Sequence, residues 1–184
     1  MIKRKKIFVI FGIFILIIIG ISIFIFTKKE KQSDYSLISN QDYKNISYTI
    51  EGQVVTLKDG VSETEIAPGS SSKNITQYFG NEVKADFDGD GLQDVAFLLT
   101  QTNGGSGTFY YLVAAITTKD GYVGTNAVLL GDRIAPQNTE FKDGKIIVNY
   151  AERLPNEPMT TAPSIGVSKY FTVVDNKLVE SKDF

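Results

Sequence analysis

Four aspartates stand close together near the middle of the chain, in the stretch Asp86-Phe87-Asp88-Gly89-Asp90-Gly91-Leu92-Gln93-Asp94. Ca²⁺ takes about six to eight oxygen ligands, and carboxylates at alternate positions ahead of a glycine supply about three of them from one turn. The backbone carbonyl of Leu92 can add a further protein ligand, and Asp94 closes the ring from the far side. Gly91 permits the sharp turn, where we expect a positive φ. The stretch therefore predicts a calcium site.

An ordinary exposed turn is the alternative interpretation of the same residues. Aspartate and glycine are enriched in turns for reasons that have nothing to do with metals. Carboxylates placed this close together repel one another, however, and a plain turn has no reason to accept that repulsion. The repulsion favours a bound cation, and we expect its role to be structural rather than catalytic.

The loop begins like an EF-hand but does not end like one, because Phe97 occupies the position of the bidentate glutamate. Val95–Leu99, which follows the loop, is an apolar run with the length and composition of a strand. The pattern D-x-D-x-D-G-x-x-D ahead of a buried strand instead resembles the calcium loop of FG-GAP repeats, the blades of integrin-type β-propellers. The stretch Tyr78-Phe79-Gly80 is similar to the residues that lead into that loop. The resemblance implies that the ligands are Asp86, Asp88, Asp90, Asp94 and the carbonyl of Leu92.

The FG-GAP resemblance covers only about residues 78–100, and the pattern occurs once. A propeller needs about four to eight blades of comparable sequence, so this chain does not form a propeller alone. More broadly, residues 104–111 and 121–134 resemble uncharacterised exported or membrane-anchored bacterial proteins. That broader resemblance implies no known activity.

The segment Ile7–Phe26 is long enough and apolar enough to cross a lipid bilayer. It has no charged residue over its whole length, and about 20 apolar residues span the hydrocarbon core. A secretory signal is shorter, at about 7–15 apolar residues, and no small-residue cleavage site closes this one. We therefore expect residues 1–27 to be an uncleaved signal anchor, residues 28–45 a polar stalk, and residues 46–184 an external domain.

The orientation of the anchor follows from the basic residues that flank it. Lysines and an arginine precede the apolar segment and a smaller group follows it, namely Lys3, Arg4, Lys5 and Lys6 against Lys28, Lys29 and Lys31. This bias predicts a cytoplasmic N-terminus and an extracytoplasmic C-terminal domain at the cell membrane. A calcium loop also suits the calcium-rich exterior better than the cytosol.

The charge and composition of the external part exclude several classes of function. Residues 32–184 contain 12 basic and 20 acidic residues, a net charge of −8, which argues against nucleic acid as a partner. The chain has no cysteine and no histidine. Disulfides, the common zinc sites and catalysis by Ser-His or Cys-His groups are therefore excluded.

The spacing of turn signals after residue 45 predicts a mainly β domain, either one antiparallel sheet or a sandwich. Hairpin signals separate strand-like runs at Glu51-Gly52, Asp120-Gly121, Asp143-Gly144 and Asp175-Asn176. Residues 95–99 and 109–116 are continuously apolar, which predicts a central hairpin buried on both faces. Residues 61–74 are predicted to form a long loop, and residues 75–79 a short helix or strand.

A second candidate site lies in and near the proline-bearing loop 152–164, which holds three of the five prolines. Its candidate ligand-binding residues are Arg133, Tyr150, Glu152 and Arg153. The first interpretation is a non-enzymatic binding or adhesion module for an unknown protein or glycan. The alternative is a cell-envelope hydrolase that uses Glu152 and Asp132 as a carboxylate pair, for which the sequence gives no separation.

Overall fold

The computed structural model describes residues 42–181. The predicted anchor and residues 28–41 of the predicted stalk lie outside these residues. Within the described range the chain forms twelve strands and one short 3₁₀-helix, and it has no α-helix. No helix between residues 42 and 181 has the length and apolar character required to cross a membrane.

The strands follow a 3₁₀-helix at Tyr43–Asn45, which Asp42 caps by accepting a hydrogen bond from the Lys44 N–H. In chain order the strands are β1 (Ser47–Ile50), β2 (Gln53–Thr56), β3 (Val61–Glu65), β4 (Lys73–Ala85), β5 (Asp94–Thr102), β6 (Phe109–Thr118), β7 (Gly121–Gly124), β8 (Val128–Asp132), β9 (Ala135–Lys142), β10 (Lys145–Glu152), β11 (Ile165–Val174) and β12 (Lys177–Ser181). All pairings between these strands are antiparallel.

Two-residue turns set the register of three hairpins at the positions that the sequence predicts. Glu51-Gly52, Asp143-Gly144 and Asp175-Asn176 each have positive φ at both residues. That geometry matches the right-handed twist of the flanking strands, which is why such dipeptides favour tight hairpins. The mainly β, antiparallel class predicted from the sequence is therefore confirmed.

A six-stranded sheet lies at the centre of the domain, in the order β3-β4-β5-β6-β7, with β8 also paired to β6. Strands β5 and β6 form the predicted central hairpin, and most of their side chains are buried on both faces. Their continuous apolarity reflects a layer of structure on each side of the sheet.

Alternate residues of β5 face two separate hydrophobic cores. Ala96 and Leu98 pack in the core shared with the four-stranded sheet β12-β11-β10-β9. Val95, Phe97 and Leu99 pack in a second core that the β1–β2 hairpin closes. This second core is closed by Tyr48, Ile50 and Leu57, all of which are buried. The domain is therefore a two-sheet sandwich with a hairpin covering its outer central face.

The predicted loop at residues 61–74 is wrong, because this segment contributes two strands. Residues 61–65 form β3, and β4 begins at Lys73, so the connection spans only residues 66–72. The segment is polar because β3 is an edge strand with mostly exposed side chains, and Lys73 forms an ion pair with Glu63 across the two strands at 2.7 Å. Residues 75–79, predicted as a short helix or a strand, are part of strand β4.

The folded domain also includes residues that the sequence assigned to the stalk. Tyr43 packs its ring against Phe97 at a centroid distance of 5.4 Å. The Tyr48 hydroxyl donates to the Tyr43 carbonyl at 2.7 Å. Residues 42–45 therefore belong to the domain, and any fragment designed to fold should retain Asp42.

Candidate metal centre

The aspartate loop connects β4 to β5, and a paired Ala85 and Asp94 close its base. Val83 and Ala85 pack partly buried against the first core, and Phe87 is buried there. The Phe87 ring lies 5.2 Å from the ring of Phe141 in the four-stranded sheet. The loop is therefore fixed to the core by Phe87, and Asp86 and Asp88 on either side of it are less buried.

Each of the first three aspartates accepts hydrogen bonds from backbone N–H groups of the loop itself. Asp86 accepts from Gly89 at 2.7 Å and from Gly91 at 2.9 Å, through different oxygens. Asp88 accepts from the Asp90 N–H at 3.1 Å, and Asp90 accepts from the Leu92 N–H at 2.7 Å. Gly91 has φ +85°, as the sequence predicts, and no L-residue adopts such a turn readily.

Asp94 is fully buried and holds two elements together. Its Oδ2 accepts from the Phe87 N–H and its Oδ1 from the Thr117 N–H, both at 2.8 Å. Burial raises the pKa of Asp94 to about 6, the two backbone hydrogen bonds oppose that shift, and the charges of Asp88 and Asp90 add to it. A carboxylate oxygen that accepts one hydrogen bond keeps a second lone pair, so these bonds leave room for a cation.

The carboxylates of Asp86, Asp88 and Asp94 converge, with one oxygen from each lying within 4.8 Å of the others. Asp90, the remaining predicted carboxylate ligand, is not part of this group. Leu92, whose carbonyl the sequence predicts as a ligand, lies in the same loop two residues before Asp94. The fold therefore brings together residues that the sequence separates by eight positions, and does so from opposite ends of the loop.

The chemistry of this group fits a hard cation. Its donors are carboxylate oxygens, which suit Ca²⁺ or Mg²⁺ rather than softer transition metals. Between residues 42 and 181, none of the ion pairs formed by Lys or Arg involves the four loop aspartates. Their mutual repulsion is therefore not relieved by a basic side chain of the described chain.

The second predicted site is only partly assembled. Arg133 forms an ion pair with Asp132 at 2.8 Å, and Arg153 donates to the Arg133 carbonyl at 2.8 Å, so the two arginines lie together. Glu152 is exposed at the end of β10.

Tyr150 does not belong to this second site, and its prediction as a ligand-binding residue is corrected. Its side chain is 1% exposed, and its hydroxyl donates to the Leu130 carbonyl at 3.3 Å. Burial raises the pKa of Tyr150 to about 12. The alternation of β10 places Tyr150 in the core with Ile146 and Val148.

Of the carboxylate pair in the hydrolase alternative, Asp132 is suited to the ionised member rather than to the acid. Hydrogen bonds from Arg133 lower the pKa of Asp132, and the Thr108 N–H also donates to its carboxylate. A general acid near neutral pH needs a raised pKa instead. The surroundings of Asp132 are those of a structural ion pair.

One polar cluster could not be anticipated from the sequence. Glu82 accepts hydrogen bonds from the hydroxyls of Tyr43 at 2.6 Å and Tyr78 at 2.9 Å, and Lys84 lies 3.5 Å from the same carboxylate. The Lys44 ammonium lies over the Tyr78 ring, 4.0 Å from its centroid. Tyr43 and Glu82 are 39 positions apart, and no local pattern marks their contact.

Comparisons of the chain with protein-family models, with curated proteins and with solved structures give no match in any of the three.

Proposed function

We propose that this protein is a single-pass, membrane-anchored extracytoplasmic β domain with a structural Ca²⁺ site in the loop 86–94, and that it serves as a binding or adhesion module. The observation that carries the metal proposal is the convergence of Asp86, Asp88 and Asp94. The FG-GAP resemblance of the same loop supports calcium as the cation. The apolar segment 7–26 and its basic flank support the anchor and its orientation.

A structural role for the ion follows from the two backbone hydrogen bonds that Asp94 accepts. Because Asp94 binds the backbone of Phe87 and of Thr117, an ion at this group would tie the β4–β5 loop to the end of β6. The chain has no disulfide to provide such a link, since it has no cysteine. A bound ion adds stability only to the folded state, where its ligands meet.

Calcium-dependent melting of a fragment 41–184 tests the proposal. A site with a Kd of about 10 μM in about 1 mM calcium would add about 2.7 kcal/mol to the free energy of unfolding. Asp88→Asn should remove this increment, and Asp90→Asn should weaken it. Magnesium should substitute poorly, because it demands near-octahedral geometry at about 2.0–2.1 Å.

The matched control is Glu152→Gln, the same exchange of carboxylate for amide at an exposed residue outside the loop. It should keep the full calcium response. Equal melting temperatures of the wild-type fragment in calcium and in a chelator would show that the loop is only a turn.

A further inference from the structure

The loop between β5 and β6, residues 103–108, brings an asparagine and a glycine together at its start. Asn103 is the only asparagine in the chain that a glycine follows, here Gly104. A backbone nitrogen approaches the side-chain carbonyl carbon of the preceding asparagine most closely when its own residue has no Cβ, because nothing then crowds the five-membered ring that forms. The sequence therefore places one asparagine where its side chain and the next peptide nitrogen can react.

The structure leaves both reacting groups accessible. Asn103 is exposed, and within residues 42–181 neither its side-chain amide nor the Gly104 N–H has a hydrogen-bond partner. The Asn103 Oδ1 lies 3.3 Å from the point at which Gly105 would carry a Cβ. The side-chain amide therefore lies against the backbone that follows it, which is the direction from which the attack comes.

The N–H groups of comparable glycines are engaged elsewhere in the domain. Three of the glycines that follow an aspartate donate within their own turns: Gly60 to a backbone carbonyl at 2.9 Å, and Gly89 and Gly91 to the two oxygens of Asp86 at 2.7 and 2.9 Å. A peptide nitrogen must lose its proton to become a nucleophile, and an acceptor that binds this N–H holds the proton in place. The Gly104 nitrogen has no such restraint among the described residues.

We propose that Asn103 is a site of spontaneous covalent modification, at which the Gly104 nitrogen attacks the side-chain amide. The bond between the Gly104 nitrogen and the Asn103 Cγ forms, and the Cγ–Nδ2 bond breaks. Nδ2 leaves as ammonia with the proton that the Gly104 nitrogen loses. Water then opens the resulting succinimide at one of its two carbonyls, to give aspartate or isoaspartate. Water is the only co-reactant that these steps need.

The modification would alter a contact between two loops. A Cβ at Gly104 would lie 3.3 Å from the Ser72 Cβ and 3.8 Å from the Ile66 Cδ1, so the connection between β3 and β4 packs closely on the reacting backbone. Conversion adds a negative charge beside this contact, and isoaspartate also lengthens the backbone by one carbon. The inference is independent of the metal and of any binding partner.

Incubation of the full chain in phosphatidylcholine nanodiscs at mildly alkaline pH tests the proposal. Samples taken over time are digested at acidic pH, which prevents conversion during digestion, and mass spectrometry follows the exchange of amide for acid at each asparagine. Asn103 should be converted at least about tenfold faster than Asn156, a difference of about 1.4 kcal/mol in the barrier. Electron-transfer fragmentation should find both aspartate and isoaspartate at residue 103.

Asn156 is the matched control within the same molecule. It is also exposed, but it precedes Glu157, whose Cβ crowds the ring and whose N–H donates to the Leu154 carbonyl at 3.1 Å. Asn103→Gln should abolish the conversion at residue 103, because its longer side chain would have to close a larger ring. Equal rates at Asn103 and Asn156 would overturn the proposal. An Asn103 that stays intact in the folded chain, but is converted when the chain is unfolded in urea, would overturn it as well, since the fold would then protect the site.

Discussion

Asp94 on β5 and Thr117 on β6 are joined by a buried hydrogen bond, in which the Thr117 N–H donates to Oδ1 of Asp94 at 2.8 Å. The other oxygen of the same carboxylate accepts from the Phe87 N–H. Asp94 is thus part of the fold as well as of the candidate metal centre, whereas Asp88 is exposed. Variants of these two aspartates should therefore behave differently.

Asp94→Asn should destabilise the domain even when a chelator is present. An amide offers one acceptor oxygen in place of two, and its NH₂ group would face a backbone N–H in a buried site. The expected loss is about 1–3 kcal/mol, the cost of leaving a buried donor unsatisfied. Urea unfolding in chelator measures it, and Asp88→Asn should match the wild type there. An Asp94→Asn fragment as stable as the wild type would contradict the structural role.

Gly124→Ala should destabilise the domain by about 3 kcal/mol, at the upper end of the overpacking range. A Cβ at residue 124 would lie 2.1 Å from the Ser47 carbonyl oxygen, where the β1–β2 hairpin crosses the sheet. Backbone atoms cannot give way as a flexible side chain can. Gly166→Ala is the control, because a Cβ there meets nothing within 4 Å, and urea unfolding should find it within about 0.5 kcal/mol of the wild type.

Asp132→Asn should lower stability at neutral pH and lose that effect in acid. Hydrogen bonding to Arg133 lowers the pKa of Asp132 below its ordinary value of 3.8. A lowered folded-state pKa contributes stability above the unfolded pKa, and the contribution disappears as the pH falls through the folded value. The difference in melting temperature between wild type and variant should therefore be largest above about pH 5 and shrink below about pH 4. A difference independent of pH would show that the ion pair does not contribute.

Protease added to intact cells should digest the domain. The segment Ile7–Phe26 and the basic residues before it predict a cytoplasmic N-terminus, with residues 32–184 outside. Immunoblotting against the domain measures the loss. Survival of the domain until the cells are permeabilised would contradict the predicted orientation.

The sequence predicted those features that depend on local chemistry. Asp143-Gly144 and Asp175-Asn176 form their hairpins because positive φ is a property of the turn residues. Residues 95–99 are recognisable as a central strand because each of them is apolar and buried. The aspartate loop was placed correctly between a strand with alternating burial and a buried strand.

Other features depend on contacts between distant segments and could not be predicted. Residues 61–65 look like a loop because an edge strand can be polar on both faces. Only the pairing with β4 shows that these residues form a strand. Tyr150 was predicted to bind a ligand because its local sequence does not determine which face of β10 packs against the core. The buried bonds of Asp94 depend equally on Thr117, which is 23 positions away.

The contacts around Tyr43 also determine how the domain would bear a mechanical load. The Tyr43 hydroxyl binds Glu82, its carbonyl accepts from Tyr48, and the next carbonyl, that of Lys44, accepts from the Gly60 N–H at 2.9 Å. A pulling force applied to the chain at Asp42 would therefore act on β4 and on the turn before β3 as well as on β1. A load at Asp42 would thus be shared among three segments of the described domain.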